Sequence, residues 1–193
     1  MSDFKNDKKW ADTFIPQIEK VVKSVAPNLL AVTVAPDYAD MRQATDYVIT
    51  IAPAGESIGC RIRTSVSFLK TFRDVTFRSS RPSGQMTEVE KIIGGYPAWY
   101  LYGWASGNNL DHWVFIDMDR VRWSGLVEMA MKHQIRNKDN SSQFVGVAIS
   151  DLVANRCIIK QSRAFKETLA PKREAAPQIP TVQGRLRGWG VSA

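Results

Sequence analysis

The sequence predicts a mixed α/β domain, with a central sheet and helices packed against it. Three observations predict this. Apolar residues alternate with polar ones in several short runs, the period of a half-buried strand. Other stretches repeat apolar residues at three and four positions, the period of a helix. The two kinds of stretch interleave as helix, three strands, helix, strands, helix, strands, an order that layers helices on a sheet. The chain has 193 residues, 44% of them hydrophobic and 23% charged. That is ordinary globular usage, with enough length for one domain with its own core.

Asp12 is a reasonable N-cap for a helix over 13–26, with Pro16 tolerable in its first turn. Ile18, Val21, Val22 and Val25 form its apolar face, and Pro27 stops it. Residues 29–34 read as a short strand or an extended connection, and 36–43 as a polar loop. Tyr47, Ile49 and Ile51 mark a strand over 46–52, closed by a turn at Ala54-Gly55-Glu56. In the next strand Ile58, Cys60 and Ile62 share one face, while Gly59, Arg61 and Arg63 share the other. After a loop, a third strand puts Val75 and Phe77 on one side and Asp74, Thr76 and Arg78 on the other.

Residues 81–85 are turn material. Thr87 or Ser83 caps a short helix with glutamates at its positive end, closed by Gly94-Gly95. Residues 97–106 and 112–118 read as strands, the first aromatic-rich. Asp119 can cap a helix near 120–134, lined by Trp123, Val127, Ala130 and Met131. An exposed turn at 136–142, a strand at 143–149, a short helical turn opened by Asp151, and a last strand at 157–162 complete the series. The expected organisation is an N-terminal arm (1–11), one α/β domain (12–165) and a basic C-terminal tail (166–193). The tail is rich in Pro and Gly, and Arg185, Arg187 and Trp189 could grip nucleic acid there by charge and stacking. A solvated tail with no task is the alternative.

Net charge is +7. This favours a polyanionic partner, DNA or RNA, as a matter of steering and solubility. The two cysteines, Cys60 and Cys157, sit in apolar runs and read as reduced, buried thiols. No apolar run approaches the about 18 residues of a membrane span. The charged N-terminal stretch lacks the apolar core of a secretory signal. A cytoplasmic setting without membrane contact is expected.

Common catalytic motifs are missing: no Walker loop, no GxGxxG, no HExxH and no Cys/His pair at zinc spacing. His112 and His133 have no suitable Ser or Cys motif. What remains is carboxylates near basic residues. Asp46 and Asp74 each open a strand, and Glu88 lies three residues before Lys91 on one helix face. Phosphodiester cleavage needs a hard cation, oxygen ligands to hold it, and a positive group to orient water. Asp46, Glu88 and Lys91 are the catalytic candidates, and Asp46, Asp74 and Glu88 the candidate ligands of Mg2+. Lys70, Arg73 and Arg81 join Arg61, Arg63 and Arg78 as candidate phosphate contacts, the last group expected on one sheet face.

The helix-then-three-strand order, TDYV (45–48), CRIRT (60–64), FRDVTFRS (72–79) and TEVEKI (87–92) followed by YLYGW together resemble the PD-(D/E)XK nuclease-like superfamily, as prophage-type proteins carry it. The resemblance covers roughly residues 12–120. It implies a restriction-endonuclease-like fold, magnesium, and cleavage of nucleic acid in the cytoplasm, the host's if the chain is phage-encoded. In that superfamily an acid on one hairpin strand and an acid-x-lysine on the next bind metal. Asp46 matches the first. At the second this chain carries Cys60-Arg61-Ile62-Arg63, so the missing acid and lysine would have to be supplied from Glu88 and Lys91.

Each residue also has a plainer reading. Asp46 can simply begin a strand. Asp74 can pair with Arg61 or Arg63, Glu88 can complement its helix dipole, and Lys91 can pair with Glu88. The aromatic run at 96–104 reads first as core. Non-catalytic nucleic-acid binding on the same fold, binding of a host protein, and a homodimer stay open. An ADP-ribosyltransferase reading rests on Arg61, Ser65 and Glu88-Val89-Glu90, whose spacing is shorter than that family's.

Overall fold

The computed structural model describes residues 10–26, 29–35, 46–51, 54–137 and 142–170. The expected loop at 36–43, the arm before Trp10 and residues 171–193 of the tail lie outside the described residues. The architecture is mixed α/β, a central mixed sheet with flanking helices.

Helix α1 (Ile15–Val25) buries Ile18, Val21 and Val22, and carries Pro16 in its first turn. Phe14 rather than Asp12 stands at its N-cap, with no side-chain cap. Strands β1 (Leu29–Val34), β2 (Tyr47–Ile51) and β3 (Ala54–Arg63) follow as an antiparallel meander. The turn expected at Ala54-Gly55-Glu56 is instead the start of β3, where those residues pair with Ile51, Thr50 and Ile49. Continuing the ladder satisfies backbone donors and acceptors that a turn at Gly55 would leave to solvent.

The loop expected after β3 contains a helix, α2 (Ser67–Phe72), too short to show a helical period, and Leu69 is its buried residue. Strand β4 (Asp74–Ser80) then leaves the meander. It forms the edge of a separate three-stranded sheet, ordered β4-β8-β7, with β7 at Ile135–Arg136 and β8 at Gln143–Ala148. Helix α3 (Glu88–Ile93) opens on a complete capping box: the Thr87 hydroxyl accepts from the Glu90 N–H, and the Glu90 carboxylate accepts from the Thr87 N–H.

Strand β5 (Trp99–Ser106) lies parallel to β3, and β6 (Asn109–Asp117) returns antiparallel beside it. With β9 (Ile158–Gln161) this gives a six-stranded sheet ordered β1-β2-β3-β5-β6-β9. A parallel pair needs a crossover connection, and α2, β4 and α3 supply it.

The helix expected over 120–134 is two helices, α4 (Met118–Trp123) and α5 (Leu126–Met131). Asp117, not Asp119, caps α4, accepting from the Arg120 N–H at 3.0 Å. Gly125, at φ 68°, breaks the run in the left-handed region that glycine adopts without a Cβ clash. The break takes Trp123 out of register with Val127, and its side chain is 86% exposed instead of lining the core. Helix α6 (Ile149–Ala154) carries Asp151 in its first turn, with Ala148 at the N-cap. Helix α7 (Arg163–Leu169) runs beyond residue 165, capped by Ser162 and anchored by the fully buried Phe165. Among the described residues no helix is long and apolar enough to cross a membrane.

Strand alternation divides the interior in two. From β3, β5 and β6, Ile58, Leu101 and Phe115 pack on one face of the large sheet against Phe14, Ile18 and Val22. On the opposite face Tyr100, Tyr102, Trp104, Val114 and Ile116 meet Val75 and Phe77 of β4 and Val145 and Val147 of β8. The aromatic run of β5 is therefore core. Its contacts join the two sheets: the Phe77 and Tyr100 rings meet edge-on at 5.3 Å, and the Thr76 and Tyr102 hydroxyls hydrogen-bond at 3.0 Å.

Candidate functional site

Where the two sheets part at one end, they leave a cleft of about 500 Å³. Alternation on β3 sends Ile58, Cys60 and Ile62 toward α1, so Arg61 and Arg63 enter the cleft. Alternation on β4 sends Val75 and Phe77 into the core, so Asp74, Thr76 and Arg78 line the opposing wall. The arginines expected on one sheet face thus converge from two sheets. Arg136 of β7 adds a fourth guanidinium from the far side. An adjoining shallow cavity shares Arg136 and Ser142 and adds Arg81, so the basic surface continues past the cleft mouth. Lys70 and Arg73 lie on and just after α2, both exposed, and line neither cavity.

Among the described residues, Asp74 is the carboxylate lining the cleft, and Glu88 is already engaged. Glu88, at the start of α3, forms a salt bridge with Arg61. Its Oε2 also accepts from the Arg78 N–H at 2.7 Å, and its Oε1 accepts from the Tyr100 hydroxyl at 3.0 Å. Burial alone would raise the Glu88 pKa; Arg61, the Arg78 N–H and Tyr100 outweigh it and hold the carboxyl below its ordinary value. For Arg61 burial pulls downward, and Glu88 together with Tyr100 and Tyr102 more than reverses that. Arg78 is held below its ordinary value by burial, then by repulsion from Arg61 and Arg81. Asp74 goes the other way: burial raises its pKa, against the attraction of Arg63. Its carboxylate sits over Gly146 of β8, where a Cβ would stand 2.7 Å from Oδ2.

Of the remaining candidates, Asp46 bears on Tyr100. Asp46, just before β2, accepts a hydrogen bond from the Cys60 N–H across the meander. Burial raises the Tyr100 pKa well above its ordinary value, and the charges of Glu88 and Asp46 add to this, so both carboxylates bear on the same phenol. The Cys60 thiol is likewise pushed up, by burial and then by Asp46. Lys91 lies one helical turn after Glu88 and is buried.

As a magnesium site, this set fits poorly. A hard cation needs carboxylate oxygens with lone pairs to give, and Arg61, the Arg78 N–H and the Tyr100 hydroxyl already take three of the about four acceptor sites of Glu88. Among the described residues no three His, Cys, Asp or Glu side chains stand close enough together to share a metal ion.

Arg136 escaped sequence reasoning because it falls in a stretch that reads as an exposed turn, and its strand is two residues long. Phe68 and Phe72 escaped because α2 read as loop. Phe68 lies under the Arg63 guanidinium at 5.0 Å, and its ring stacks with Phe72 at 6.4 Å. The pattern phenylalanine, three residues, phenylalanine was the available signal.

No family model, no curated protein and no solved structure matches the chain.

Proposed function

We propose that the chain binds nucleic acid, DNA or RNA, with the cleft between the two sheets as the seat of the phosphate backbone. The charge of the cleft carries this reading: Arg61, Arg63, Arg78 and Arg136 converge on it, with Asp74 as the lining carboxylate and Glu88 spent on Arg61. Guanidinium forks match phosphate oxygens in pairs, a geometry that lysine does not offer. The net charge of +7 adds long-range attraction for the same partner.

A restriction-endonuclease-like arrangement is part of the proposal. Helix α1, the β1-β2-β3 meander, and an acid just before β2 set against the Cys60 backbone of β3 support it. Metal-dependent cleavage is the second reading, resting on Asp46 beside the Cys60 backbone, where the resemblance expects an acid. It stands behind binding because Glu88 neutralises Arg61 instead of offering free oxygens.

Fluorescence anisotropy with labelled DNA and RNA over a range of salt tests the proposal. The logarithm of the affinity should fall linearly with the logarithm of salt, and Arg136→Ala should lower the slope by about one. Binding that ignores both salt and Arg136 would reject the cleft. For the second reading, magnesium-dependent cleavage lost in Asp46→Ala is the expected sign, and cleavage equal in both proteins removes Asp46 from it.

A further inference from the structure

We propose that the cleft takes a single-stranded segment, seating one unpaired base against Phe72 while neighbouring phosphates lie on the arginines; this rests on the nucleic-acid reading above. The four-residue spacing of Phe68 and Phe72 puts both rings on one face of α2, stacked at 6.4 Å with 21° between their planes. Arg63 covers Phe68 at 5.0 Å. Phe68 thus touches both the Arg63 guanidinium and the Phe72 ring. Phe72 lines the cleft yet is 60% exposed. Ile135 of β7 lines the same cleft and is 50% exposed.

Bare apolar surface among guanidinium groups has little protein to pack on. A phosphate ion alone would leave it bare. A nucleotide unit offers what both surfaces lack, a flat π-face joined to a phosphate. Stacking on an aromatic side chain accepts any base, because every base has such a face. A duplex keeps its base faces inside its own stack, so it can use the arginines but not Phe72. The cleft volume of about 500 Å³ falls in the range of pockets that enclose small ligands, the scale of a nucleotide unit. Arg63 ties the two halves together, because its face rests on Phe68 while its N–H edges stay available for phosphate.

The test compares four probes: an oligothymidylate about 12 nucleotides long, the same backbone with abasic sites, a duplex of equal length, and thymidine monophosphate. The oligothymidylate should bind more tightly than duplex or abasic strand. Phe72→Ala should weaken it at least about fivefold, the smaller end of stacking contributions, and leave the abasic strand unchanged; Phe72→Tyr should restore binding. Phe72 is exposed, so its replacement leaves the core intact. Equal loss on the abasic strand, no loss on the oligothymidylate, or a preference for duplex each overturns the single-strand inference. Thymidine monophosphate binding as tightly as the oligothymidylate overturns it too. If Arg136→Ala and Arg78→Ala leave every probe unaffected, the phosphate reading itself has failed. If they weaken all probes while Phe72→Ala changes none, only the base seat has failed.

Discussion

Glu88→Gln separates a structural acid from a catalytic one. The three partners of Glu88 are all donors: the Arg61 guanidinium, the Arg78 N–H and the Tyr100 hydroxyl. An ionised carboxylate is acceptor-only, so it can satisfy all of them. A glutamine of the same shape has one acceptor oxygen and turns an NH2 toward a donor. It also leaves Arg61 without its counter-charge. Breaking a buried pair by removing one partner costs about 3–5 kcal/mol. The side chains here are 22% and 14% exposed, which points to the lower end, about 3 kcal/mol. Against a total stability of about 5–15 kcal/mol this is a large fraction. With a urea m-value near 2 kcal/mol/M, the midpoint should fall by about 1.5 M.

Urea unfolding followed by tryptophan fluorescence measures it. Replacing both partners by apolar or neutral groups, Arg61→Met with Glu88→Gln, should recover most of the loss. The pH dependence has a fixed sign. Glu88 has a depressed folded pKa, so its contribution is complete above the ordinary glutamate value of about 4.3. It is lost as pH falls through the folded value. The gap between wild type and Glu88→Gln should therefore close in acid. Removing a strained active-site acid commonly raises stability instead. A Glu88→Gln midpoint at or above the wild-type value would refute the structural account.

Asp74 has a raised pKa, so its ionised form costs stability once pH passes the ordinary aspartate value of about 3.9 and rises through the folded one. Asp74→Asn should raise the Tm at pH 7 and tighten oligonucleotide binding roughly two- to fivefold, by removing the lining carboxylate; a lower Tm with weaker binding would show Asp74 to be a needed partner of Arg63. Thr87→Ala should cost about 1 kcal/mol in urea, through loss of the capping box, and a cost near zero would mean α3 is held by packing alone. Gly146→Ala should change stability by less than about 1 kcal/mol, because the one atom too close to the new methyl group is Asp74 Oδ2, the end of a side chain that can turn aside; a larger loss in urea would show the Asp74 carboxylate to be held rigidly over β8.

Local pattern was legible in the sequence, and partnership was not. The two faces of β3 and of β4 follow from alternation, and Thr87 stood with Ser83 as a candidate cap of α3. Alternation says which side chains share a face but not which strand lies alongside, so β4 read as a third strand of the meander when it pairs with β8. A helix of six residues such as α2 is too short to display a period, and the Gly125 break hides inside an otherwise continuous apolar repeat. The site followed the same rule. Arg61, Arg63 and Arg78 stood out because alternation put them on one expected sheet face, with Asp74 as a candidate partner. The pairing of Arg61 with Glu88, separated by 27 positions, depends on the crossover that brings α3 back over the sheet. Arg136 enters the cleft from still further along the chain.

Strand β3 serves two unlike environments from one backbone, and this restricts how it can change. Sliding its register by a single residue against β2 and β5 would drive two guanidinium groups into the apolar layer under α1 and expel three apolar side chains into the basic cleft. Misalignment is thus penalised from both sides at once, which pins the strand in place. Within that fixed alignment the two faces are separable. Charge on the cleft wall can be changed at 63 while 58, 60 and 62 keep the α1 layer as it is, whereas a change at 61 requires a matching change at its partner Glu88.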